Sequence, residues 1–182
     1  MVHPLWREKY DSDNHLLVII SLHFFITNYI TNTIKLTKMA PNQITMVQDS
    51  WARVKPIAQQ AGELFYSKLF IAAPYARHMF KKNISEQAGK LMYTLTYIVN
   101  HLDRLDTILD DVQKLAVRHN RYEVKPEHYT VVGQCLIETL SEGLGDHWNN
   151  ELQEAWVTAY TILSNAMIQA QENAMPEEKM CA

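Results

Sequence analysis

The chain has 182 residues, with 17 Lys and Arg against 20 Asp and Glu for a formal net charge of -3, and 47% of its residues are apolar or aromatic. That length and composition suit one domain with a sizeable core and leave no room for a second catalytic domain. The basic residues are scattered and form no stripe that could follow a phosphate backbone, so nucleic acid is not expected as a partner. The cysteines are Cys135, within a helical pattern, and Cys181, near the C-terminus. This argues against a disulfide framework and for a reducing, cytoplasmic setting.

Residues 1–38 differ in character from the rest. The head carries Glu8, Asp11 and Asp13, and no small-residue cleavage site follows, which does not suit a secretory signal. The apolar run from Leu16 to Ile26 is too short to span a bilayer, and a stretch of about 20 residues includes His23, Asn28 and Asn32. The segment therefore reads as an N-terminal extension, with a weak membrane anchor and a start at Met39 as alternatives. The start at Met39 is favoured because helical patterning begins only after it.

From Asn42 onward the chain reads as successive helices with brief punctuation. Ile44, Val47, Trp51 and Val54 form a first stripe, and Pro56 breaks it before Ala61, Leu64, Phe65 and Leu69. Pro74 opens a short third helix ending near Phe80. Ala88, Leu91, Leu95, Ile98 and Leu102 mark a fourth, capped by Asn83 or Ser85. Pro126 suits the first turn of a helix bearing Tyr129, Val132, Leu136 and Leu140, which Gly143 and Gly145 close. Asn149 or Asn150 then caps a last helix that buries Leu152, Trp156, Leu163 and Met167. No strand-like alternation persists, so the fold class is all-α. The tail from Pro176 is polar.

His119 is the most informative residue. Leu105, Leu109, Val112 and Ala116 precede it in steps of three and four, which return to one helix face and point the imidazole into apolar space. A neutral imidazole there can ligate a haem iron axially. A lone histidine on an apolar face is also a common satisfied core residue. Upstream, Tyr66 can be a core aromatic or a hydroxyl donor to a bound gas, and Gln87 a solvated residue or a second donor. Phe80 and Leu91 suit a core and a cofactor wall equally well. His78, His101, His128 and His147 lack the spacing of a zinc site, and no phosphate loop or activated nucleophile is visible.

Taken jointly, LFYSKLF at 64–70, the interval from Pro74 to Phe80, SEQAGKL at 85–91, KLAVRH at 114–119 and EHYTVVGQ at 127–134 resemble the single-domain bacterial globins and the globin domain of flavohaemoglobins. The resemblance covers about residues 42–172, and the domain is expected over 39–175. It implies a globin fold around one b-type haem, held non-covalently since there is no Cys-x-x-Cys-His motif. His119 then matches the proximal iron ligand, Phe80 the aromatic packed on the haem face, and Tyr66, Gln87 and Leu91 the distal pocket.

The resemblance further implies reversible dioxygen binding, for transport or storage. Its enzyme-class alternative is nitric oxide dioxygenation, in which nitric oxide and dioxygen give nitrate and the oxidised iron must be reduced again. At this length that would need a separate reductase. A gas sensor is a third reading, without an output domain to support it. In flavohaemoglobins the residue matching Tyr129 joins a Glu of the last helix in a network near the proximal histidine. Here Gln171 takes the place of that Glu. An amide supplies no charge, which weakens the argument for dioxygen activation.

Overall fold

The computed structural model describes residues 38–80 and 83–174. The readings made for residues 1–37 and for the tail from Pro176 fall outside them. The compact unit that holds every helix named below begins at Met39.

Six α-helices follow one another among the described residues: α1 Pro41–Val54, α2 Ala58–Ala72, α3 Ile84–Val99, α4 Leu109–Arg121, α5 Pro126–Leu144 and α6 Asn150–Asn173. Short 3-10 turns connect them at Lys55–Ile57, Pro74–Met79, Leu102–Ile108 and Gly145–His147. Several boundaries have a local cause. Pro41 and Pro126 stand in the first turns of α1 and α5, where a missing N–H costs nothing. Asn83 accepts from the Ser85 N–H at the head of α3, and Asn149 from the Leu152 N–H at the head of α6, each satisfying a free backbone donor. Gly145 ends α5 at φ 52, a conformation that a Cβ would oppose.

The core lies where α1, α3, α5 and α6 converge. Trp51 and Trp156 pack with ring centroids 5.8 Å apart. Their indole N–H groups are both satisfied, Trp51 donating to Thr96 Oγ1 at 3.1 Å and Trp156 to Ser50 Oγ at 3.0 Å. Burying two such large rings with no orphaned donor stabilises the crossing of α1, α3 and α6.

Several sequence expectations need correction. Among the described residues burial begins at Met39, whose side chain joins the core, and Ile44 is only half-buried. Leu102 lies beyond α3, which stops at Val99, and Leu163 is half-buried. Leu105 and Leu109 do not continue the stripe behind His119. Leu105 sits in a 3-10 segment kinked at Arg104 (φ -145, ψ 49), and Leu109 is 49% exposed at the start of α4. A 3.6-residue period carried back through that kink loses its phase. The buried stripe leading to His119 is Val112 and Ala116. The short helix opened by Pro74 is present as a 3-10 helix, Pro74–Met79, that ends at Phe80 as expected.

Candidate functional site

The site is assembled by two helix pairs. In the first, α2 and α3 cross at backbone contact: a Cβ added to Gly62 would lie 2.8 Å from Ala88 Cβ, which is closer than real side chains approach. One turn beyond Gly62 stands Tyr66, and beside Ala88 stands Gln87, so the close crossing delivers both side chains to one place.

Tyr66 is 4% exposed and ringed by aromatics. Phe80 meets it edge-on at 5.2 Å, Phe70 lies at 5.9 Å and Phe65 at 5.1 Å. Arg77 caps this cluster, its guanidinium 4.7 Å from the Phe70 ring centre. Burial pushes the Tyr66 hydroxyl up to about 12, and the Gln87 amide donating toward it is the smaller, opposing influence. The hydroxyl is therefore a protonated donor at neutral pH. Phe80 and Leu91 are half-buried and pack against the core, and Gln87 is half-buried. Tyr66, Gln87 and Phe80 are thus brought together, while Leu91 follows Gln87 by one turn of α3.

The second pair is α4 against α6, with α5 alongside. His119, in the last turn of α4, is half-buried, and its Nδ1 lies 2.9 Å from the Leu115 carbonyl. A carbonyl can only accept, so Nδ1 carries the proton and Nε2 keeps its lone pair. Desolvation lowers the pKa of the imidazole, outweighing the Leu115 bond that would raise it, and keeps the ring neutral. Tyr129 of α5 lies nearly parallel to it, with centroids 6.3 Å apart and an interplanar angle of 21°.

Tyr129 donates to Gln171 Oε1 at 2.8 Å, and the other pole of that amide, Nε2, donates to the Val124 carbonyl at 3.0 Å. Gln171 is therefore buried with both poles used, and its hydrogen bonds go to Tyr129 and Val124. Sequence reasoning missed as partners Leu115, Val124 and Tyr160, whose hydroxyl donates to the Tyr129 carbonyl at 2.6 Å. Two contribute backbone carbonyls, which no side-chain pattern reveals. Tyr160 was legible in principle, since it precedes Gln171 by about three helical turns and so shares its face.

Among the described residues no three His, Cys, Asp or Glu converge on a metal position. A lone neutral imidazole with a free lone pair suits instead a metal that arrives within an organic macrocycle.

The globin family model matches residues 63–167 of the chain. The chain is a globin. As a globin it is a haem protein, and the donor set just described fits that group. The flavohemoprotein of Halalkalibacterium halodurans is 31% identical over 144 residues, covering 74% of this globin and 35% of the relative. That of Vibrio cholerae is 30% identical over 120 residues, covering 62% and 30%. This globin thus spans about a third of the length of these flavohemoproteins. A globin-like protein of Aquifex aeolicus is 27% identical over 71% of this chain and 92% of its own. The solved bacterial globin of Campylobacter jejuni shares the fold with a TM-score of 0.66 at 22% identity, covering 74% of this chain and 97% of that one. Among the described residues no helix is long and apolar enough to cross a membrane.

Proposed function

We propose that this globin binds dioxygen reversibly, for transport or storage, with His119 as the axial ligand and Tyr66 as the principal donor to the gas. The observation that carries the reading is the state of His119: its Nδ1 proton is given to the Leu115 carbonyl and its ring is held neutral, which leaves the Nε2 lone pair for a metal. Haem supplies the iron at which a diatomic gas binds. The chain's own part is to hold that lone pair in one direction, to wall the ring with Phe80 and Leu91, and to offer the hydroxyl of Tyr66 with the amide of Gln87 behind it. A buried hydroxyl donor favours a ligand that gains negative charge on binding, because low dielectric strengthens the bond.

Nitric oxide dioxygenation is the second reading, supported by the similarity to flavohemoproteins and dependent on electrons from a separate reductase. The neutral Gln171 favours the carrier, since no carboxylate takes its place near the axial ligand. The deciding experiment follows oxygen exchange and nitric oxide consumption by the purified ferrous protein with ample reductant. A carrier exchanges oxygen freely and consumes a single equivalent of nitric oxide before slowing. Sustained rapid consumption would replace the carrier reading with the enzyme.

A further inference from the structure

The two helix pairs that build the site are joined at one turn. In the first pair α3 packs on α2, in the second α4 packs on α6, and the segment Leu102–Ile108 links α3 to α4. Since α3 runs into that turn and α4 runs out of it, the two helices are arms that leave a common vertex. Gln87 lies ten residues before Tyr97 on one arm, about 15 Å of helix, and His119 eight residues after Asp111 on the other, about 12 Å. Both functional side chains therefore stand far out on the arms. A change of about 5° at the vertex moves Gln87 by about 1 Å, more than the spread of good hydrogen-bond lengths.

The turn does not fix that angle by itself. Arg104 kinks it at φ -145 and ψ 49, and neither glycine nor proline lies between Asn100 and Leu109. Its own bonds, from the Arg104 N–H to the His101 carbonyl at 3.0 Å and from Thr107 Oγ1 to the Arg104 carbonyl at 2.8 Å, hold its shape without tying one helix to the other.

A side-chain bond makes that tie. The Tyr97 hydroxyl of α3 donates to Asp111 Oδ2 of α4 at 2.7 Å. Each partner is set for it. The Tyr97 ring packs on His101 with centroids 4.6 Å apart, and His101 Nδ1 in turn donates to the Tyr97 carbonyl at 2.7 Å. Lys114 lies 3.7 Å from the other Asp111 oxygen. The last turn of α3 is itself anchored to α1, where Gln48 Nε2 donates to the Val99 carbonyl at 3.0 Å. The end of α3 is thus a fixed post, and α4 is tied to it. The bond to Asp111 raises the Tyr97 pKa, so the hydroxyl is a protonated donor at neutral pH.

We propose that the bond from Tyr97 to Asp111 is a latch that sets the angle between α3 and α4, and with it the placing of Gln87 relative to His119, which makes Tyr97 and Asp111 positioning residues for the gas site. The proposal rests on the reading of His119 as axial ligand and Gln87 as a residue near the gas. Neither latch residue needs to touch haem or gas. Closed, the latch holds the crevice at one width; broken, it lets the arms take several.

The test uses the haem-loaded full-length protein. It reads haem loss to an excess of a haem-scavenging apoprotein, and the infrared C–O stretching bands of the carbon monoxide adduct, which respond to donors around a bound diatomic. Tyr97→Phe and Asp111→Ala should each speed haem loss about threefold, below the tenfold of a buried charged hydrogen bond because both groups touch solvent. Each should also broaden or split the C–O bands. Combining the two should add nothing to either alone, since they remove the same bond. Asp111→Asn keeps an acceptor and should stay near the wild type. Tyr93→Phe, on the exposed side of α3, and Lys114→Ala should move neither readout.

Wild-type haem loss and bands in both single variants would overturn the proposal. Faster haem loss with unchanged bands would do the same, because the crevice would have loosened without moving the donors. Multiplying effects in the double variant, or damage from Asp111→Asn equal to that from Asp111→Ala, also count against it. Circular dichroism of the haem-free variants covers the remaining case: lost helix content would make the bond a support of the fold, and the latch would fall. Gln87→Leu, measured alongside, keeps the two failures apart. Unchanged bands in that variant would remove Gln87 from the gas site, and a wild type that takes up haem but binds neither oxygen nor carbon monoxide would overturn the functional reading before the latch is tried.

Discussion

Gly62 and Ala88 touch so closely that the backbone of α2 rests on the side of α3, with 2.8 Å between Ala88 Cβ and the place a Gly62 Cβ would take. The obstruction is helix rather than a flexible side-chain end, so it can only be relieved by moving one helix. Gly62→Val should lower stability by about 1–3 kcal/mol, as overpacked cores do. Because Tyr66 and Gln87 ride on the two helices, the same variant should also speed oxygen dissociation. Thermal unfolding of the haem-free and haem-loaded forms, with stopped-flow oxygen release, checks both. Wild-type behaviour in each would show that the crossing has slack.

For the axial ligand, His119→Ala is expected to abolish or displace haem binding while leaving the helices formed, because Val112 and Ala116 remain to bury α4. The Soret spectrum and far-ultraviolet circular dichroism separate these effects. A wild-type ferrous spectrum with unchanged haem affinity would remove His119 from its role.

Tyr66→Phe is expected to raise the oxygen dissociation rate about tenfold or more, in line with about 1.5 kcal/mol for a hydrogen bond to a charged acceptor. Gln87→Leu should do less. The pH dependence follows from the raised pKa. The folded protein holds the Tyr66 proton to about pH 12 against 10.0 for the free phenol. Its contribution to stability is therefore complete below pH 10 and is lost as pH rises from 10 toward 12. Oxygen dissociation from the wild type should accordingly stay flat between pH 7 and pH 10. A rise through that window would mean that the hydroxyl ionises earlier or is not the donor.

A chain beginning at Met39 is expected to fold and to take up haem as well as the full-length chain, since the compact unit starts there. Beginning instead at Asn42 removes the buried Met39 side chain and should cost about 1.5–3 kcal/mol. Equilibrium denaturation of the two shortened chains beside the full-length one measures the difference. Loss of haem on shortening to Met39 would assign the first 38 residues a part in the pocket.

Helix order, both proline starts and the asparagine caps were readable because each has a local cause that travels with the residue. The family segments also carried Tyr66, Gln87 and His119 to positions where the structure gives each a partner. Leu105 and Leu109 misled because periodicity assumes an unbroken helix, and the turn at Arg104 carries no glycine or proline to mark it. Gln171 is legible in the sequence as a neutral amide in the place of a Glu. Its second partner is a backbone carbonyl 47 residues away, and no side-chain pattern encodes that pairing.

The bond from His119 Nδ1 to Leu115 lies wholly within α4, four residues back along the same helix. It therefore forms with the helix itself. Turning the imidazole over would strand an N–H and leave the carbonyl without that partner, so the ring has one preferred setting before any guest arrives. As the proposed axial ligand, His119 would capture the macrocycle with no rotamer search, which spares the roughly 0.5–1.5 kcal/mol that ordering a free side chain costs on binding. On the proposed assignment the iron would meet a ligand that is pre-organised by its own helix.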